Sequence, residues 1–72
     1  MPPLPVLTAR EVIRVLEKIG FCFVRQRGSH KIFIKGDLMV VIPFHKKDLR
    51  PGTLKSIIKQ ANVSIEQLNE LR

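Results

Sequence analysis

Between residues 9 and 19 the apolar side chains Val12, Ile13, Val15, Leu16 and Ile19 recur at helical spacing, with Arg10, Arg14, Glu17 and Lys18 filling the opposite face. That spacing gathers one stripe toward a core and turns the charges to water, so it predicts an amphipathic helix over 9–19. Thr8 and Glu11 frame its start as a capping box, each side chain satisfying a backbone N–H that the first turn leaves free. Gly20 can take the left-handed conformation that ends a helix.

The period then changes. Residues 21–26, 30–35 and 38–43 are rich in β-branched and aromatic side chains and predict three short strands. Gly28-Ser29 and Gly36-Asp37 are turn dipeptides too short for a crossover helix, so the strands form an antiparallel meander. Residues 43–48 read as a loop. Arg50-Pro51 fits a helix start, because proline's fixed φ and missing N–H are tolerated in the first turn. Leu54, Ile57, Ile58 and Ala61 supply that helix's apolar stripe, and Asn62 can end it. Ser64 with Gln67 opens a last short helix carrying Ile65, Leu68 and Leu71.

The predicted order is α-β-β-β-α-α, an α+β fold with both main helices on one face of a three-stranded antiparallel sheet. The other face is unusually apolar. Leu38, Val40 and Ile42 alternate with Met39, Val41 and Pro43, and Ile32 and Ile34 alternate with Phe33, so neither face is fully polar. A soluble monomer avoids such an exposed patch, which points to a protein partner or to homo-oligomers formed through this face, unless loops or the tail cover it.

At 72 residues, 44% hydrophobic and 26% charged, the chain reads as a single globular domain spanning 1–72. It lacks an apolar run long enough to cross a membrane, and Met1-Pro2-Pro3-Leu4-Pro5 lacks the charged start and apolar centre of a signal peptide, so a cytoplasmic protein is expected. Cys22 is the sole cysteine. An internal disulfide and a multi-thiolate metal site are therefore excluded, and Cys22 is expected to be buried in the first strand.

Charge sharpens the reading. Thirteen Lys and Arg against six Asp and Glu give a net +7, and residues 25–50 hold seven of the cations against only Asp37 and Asp48. A basic segment this concentrated draws phosphate backbones through Coulomb attraction and counterion release. Within it lies Arg25-Gln26-Arg27-Gly28-Ser29-His30. A neutral imidazole is well suited to accept a proton near neutral pH, and surrounding cations can hold a polyanion against it. Glycine in the turn lets a phosphate approach the backbone, and Ser29 offers a hydroxyl donor.

Internal RNA scission needs a base for the 2′-hydroxyl proton, cations for the phosphate and an acid for the leaving oxygen. His30 is the candidate base, with Arg25, Arg27 and Lys31 near the phosphate. His45, beside Lys46 and Lys47, is a ligand contact or a second proton-transfer group. The carboxylates are scattered, so a divalent-metal nuclease is not expected, and two histidines alone make a weak zinc site. No cofactor is expected. Most of the four phenylalanines are needed for so small a core, and Phe44 is expected to be the most exposed of them.

These residues resemble the HicA toxins, small mRNA interferases paired with HicB antitoxins. The resemblance rests on Glu11-Val12 through Gly20-Phe21, Arg25-Gln26-Arg27-Gly28-Ser29-His30, Val41-Ile42-Pro43-Phe44-His45 and Pro51 through Ala61, in that order. It implies a double-stranded-RNA-binding-domain-like fold, His30 as the catalytic histidine of a Gly-Ser-His motif, mRNA as substrate and a HicB-like antitoxin over the active site. It also implies the toxin role of a type II toxin-antitoxin system. Val41 stands where the family pattern leads one to expect a polar residue. Two alternatives share the residues: a non-catalytic RNA-binding module, and a protein-interaction subunit whose apolar face matters and whose charge is incidental.

Overall fold

Helix α1 spans Ala9–Lys18 in a computed structural model that describes residues 3–72, so Met1 and Pro2 of the proline-rich start lie outside the described residues. Its capping box is complete. The Thr8 N–H donates to Glu11 Oε1 at 2.9 Å, and the Glu11 N–H donates to Thr8 Oγ1 at 3.3 Å. The Thr8 N–H first, and next the Thr8 hydroxyl, which donates to the same Oε1 at 3.0 Å, hold the Glu11 carboxyl below its ordinary pKa.

Strands β1 (Cys22–Arg27), β2 (His30–Lys35) and β3 (Leu38–Pro43) pair antiparallel in the order β1-β2-β3. Helix α2 (Pro51–Ala61) and helix α3 (Ile65–Leu71) follow, which gives the expected α+β order. Pro51 opens α2, and Asn62 closes it in the left-handed conformation at φ 56°. A second capping box, Ser64 with Gln67, opens α3.

The core has one side. Val12, Val15 and Leu16 of α1, Phe33 of β2, Val40 and Ile42 of β3, Leu54 and Ile57 of α2 and Leu68 of α3 all fall in a single buried cluster. The segments that lead into the two main helices also pair, through the Leu49 N–H to Leu7 O at 2.8 Å. Lys18 Nζ donates to the Leu71 carbonyl at 2.7 Å and ties α3 back to α1.

Three expectations need correction. Phe21 precedes β1: it is buried, and its N–H donates to Leu16 O at 3.0 Å, so it closes the helix exit. Cys22 is exposed, because its position opposite Ile34 puts it on the sheet face away from the helices. Phe23 is 52% exposed and so exceeds the half-buried Phe44, because β1 is an edge strand beyond the reach of the helices.

The register of β1 and β2 jumps between Phe23 opposite Phe33 and Arg25 opposite Ile32, leaving Val24 as the extra residue of a β-bulge. Because residues directly opposite share a face, Phe23 faces the helix side with Phe33. Arg25 and Arg27 face the open side with Ile32 and His30. On that open side Ile34 is 38% and Met39 55% exposed, so the apolar face read from the sequence is uncovered among the described residues.

Candidate functional site

His30 opens β2 directly after the Gly28-Ser29 turn. Gly28 has φ +57°, and a Cβ there would meet nothing within 4 Å, so the glycine answers a backbone demand and not a lack of room. Gln26 braces the turn, its Nε2 donating to Gly28 O at 2.8 Å. The Phe44 N–H donates to the Ser29 carbonyl at 2.6 Å, which pins the turn to the exit of β3. His30 is thereby held between two registered neighbours, Arg27 on β1 and Pro43 on β3.

Cross-strand partners have Cβ atoms about 5 Å apart and diagonal ones about 7–8 Å. Arg27, directly opposite, and Arg25, diagonal, therefore place two guanidiniums on the same open face as the imidazole. All three side chains are exposed, as are Gly28 and Ser29. His30 lines none of the three principal hollows of the described surface. A group on an open sheet suits a substrate that lies across a surface, as a polymer does, better than a small molecule that needs enclosure.

The remaining candidates are distributed differently. Lys31 follows His30 in the strand and so points to the opposite face, toward the helices. There it is half-buried, with Nζ 3.7 Å from the Phe44 ring centroid and 5.9 Å from that of Phe23. His45 and Lys46 line a hollow of about 560 Å³ with Thr8, Arg10 and Phe44. His45 and Lys47 line another of about 380 Å³ with Asp48 and Arg50. The structure thus unites His30, Arg25 and Arg27, and sets Lys31, His45, Lys46 and Lys47 around the rim of the sheet. Among the described residues no three His, Cys, Asp or Glu side chains converge.

Two cations escaped the sequence reading: Arg10 and Arg14 line a hollow of about 350 Å³ together with Lys31 and Phe44. Their i, i+4 spacing on α1 was the available signal, but the same spacing describes any solvated helix face.

Fold and surface together define a small basic α+β protein in which the open sheet, and not a cleft, carries His30. The family model described as the HicA toxin of bacterial toxin-antitoxin matches residues 9–63, and the chain belongs to that family. It is therefore the toxin of a toxin-antitoxin pair, with a cognate antitoxin as partner. The match runs from α1 through Val63 and stops short of α3. No individually curated protein matches the chain. None of its helices is long and apolar enough to cross a membrane, among the described residues.

Proposed function

We propose that the protein is an endoribonuclease that cuts mRNA by internal transesterification and thereby arrests growth until its antitoxin sequesters it. The observation that carries this reading is the grouping of His30, Arg27 and Arg25 on one exposed face beside a phosphate-accessible Gly-Ser turn. The His30 imidazole takes the proton of a 2′-hydroxyl, and the freed oxygen attacks the adjacent phosphorus. The P–O5′ bond breaks, and an acid protonates the departing oxygen. The products are a 2′,3′-cyclic phosphate and a 5′-hydroxyl, and no metal ion is required.

Arg25 and Arg27 stabilise the charge that builds on the phosphate. Ser29 donates from the turn, while Lys31, His45, Lys46 and Lys47 contact the backbone on either side. mRNA as substrate makes the cytoplasm the place of action. The antitoxin, a HicB-like protein, lies over the open face, where apolar side chains would cover Ile34 and Met39 and acidic ones would meet the arginines. Two copies of this chain would bring like charges together there, which disfavours a homo-oligomer through this face.

Cleavage of an end-labelled mRNA in excess chelator, wild type beside His30→Ala, tests the reading. Loss of cleavage by the variant, with RNA binding retained, is the expected outcome. The rival reading, an RNA-binding module without catalysis, draws on the openness of the His30 surface, which encloses no reacting group. It predicts that both proteins bind and that the RNA stays intact.

A further inference from the structure

The helix side of the sheet holds two arginines that the chemistry at His30 leaves unused. Arg10 and Arg14, one turn apart on α1, line a hollow of about 350 Å³ with Lys31, Phe44, Ile13 and a single carboxylate, Glu17. Like charges at i, i+4 destabilise a helix, and the fold adds a third cation by bringing Lys31 over the Phe44 ring. Packing does not require this: the buried residues of α1 are Ala9, Val12, Val15 and Leu16. A bound polyanion would relieve the repulsion.

The hollow also continues into a second one. Arg10 and Phe44 line both, and the larger adds Thr8, His45 and Lys46. At its other end the track reaches the catalytic face through the backbone of β2 alone. Lys31 and His30 are consecutive, with Cα atoms about 3.8 Å apart, and point to opposite faces.

We propose that the Arg10–Arg14–Lys31 hollow binds the single-stranded RNA backbone flanking the cut, the strand bending around the Phe44 end of the sheet between His30 and α1. This rests on RNA being the substrate. Arg10 and Arg14 are then binding residues that hold the strand without touching the reacting atoms. RNA fits better than an acidic protein segment because the track is continuous with the His30 face.

The test measures binding of a single-stranded 2′-O-methyl oligonucleotide, which cannot be cut, as a function of salt. Arg10→Ala/Arg14→Ala is compared with wild type and with Lys55→Ala/Lys59→Ala, which removes the same charge from exposed positions on α2. Alanine is the best helix former, so both pairs should keep the fold, and circular dichroism checks this. With about 0.7 counterions released per phosphate contact on a single strand, the log–log slope should fall by about 1.4 for the arginine pair. The lysine pair should leave it close to wild type.

Equal slopes in the two double variants would overturn the proposal while leaving RNA as the substrate, and a groove built for an acidic protein segment gives this result. A wild type that fails to bind the oligonucleotide even at low salt removes the RNA reading itself, and the proposal with it.

Discussion

The two edge strands of this sheet meet opposite fates. In β3, Val40 and Ile42 are fully buried, α2 packs against the strand, and the outward Val41 N–H donates to Gln60 Oε1 at 3.0 Å. In β1 all six residues are exposed. A bare edge invites pairing with other chains, and proteins blunt it with caps, bulges or charges. β3 uses a side-chain cap; β1 uses a bulge and two arginines. The cap anchors the strand to the core, whereas the bulge and charges leave it free to meet a ligand. Substitutions in β3 and its partners should therefore register as stability, and substitutions in β1 as function.

The widest test of that division sets Phe33 against Phe23, whose rings meet edge to face at 5.7 Å. Phe33→Ala should cost about 3–5 kcal/mol, enough to unfold much of so small a domain in a urea titration. Phe23→Ala should cost only about 1 kcal/mol, because the ring is half exposed and loses mainly its aromatic contact. Comparable losses at the two positions would end the distinction between the edges.

Arg27→Ala should lower kcat on RNA by about 10²-fold, as losing one charge-stabilising donor does, with little movement of the thermal midpoint. A drop in stability without a drop in rate would assign β1 to the fold after all. Gln60→Ala should cost about 1 kcal/mol by removing the partner of Val41 N–H. It should also make sedimentation concentration-dependent, since the β3 edge is then open.

The smallest effect lies at Glu11, far from either edge. Its folded pKa is lowered, so its stabilisation is present above the unfolded value of about 4.3 and is lost as pH falls through the folded one. The thermal advantage of wild type over Glu11→Gln, seen at about pH 6, should vanish by about pH 3. An advantage that persisted there would detach it from the carboxylate.

Much of the fold was legible because its signals are local. Two capping boxes mark the starts of α1 and α3, and a proline at the first position of α2 and Asn62 at its end mark both limits of that helix. His30 and its arginines were legible as a motif. Their shared face follows from the pairing across the Gly28-Ser29 turn. What the sequence did not carry was tertiary. Lys31 reads as a neighbour of His30 along the chain, yet the strand's alternation sends it to the other face. Arg10 and Arg14 stay exposed, and only the fold shows that they border Lys31 and Phe44. The exposure of Phe23 and Cys22 depends on where the helices stop covering the sheet, which no window of residues contains.

Val24 deserves to be considered as a matter of parity. In strict alternation Phe23, Arg25 and Arg27 would all point the same way, and the strand would have to choose between seating a phenylalanine beside Phe33 and presenting cations outside. Bulging Val24 out of the register removes the choice. Loss of that single codon would make Phe23 and Arg25 neighbours, which plain alternation sends to opposite faces, so the ring and the two guanidiniums would keep their sides in a strand without a bulge. In this strand, counting decides as much as chemistry.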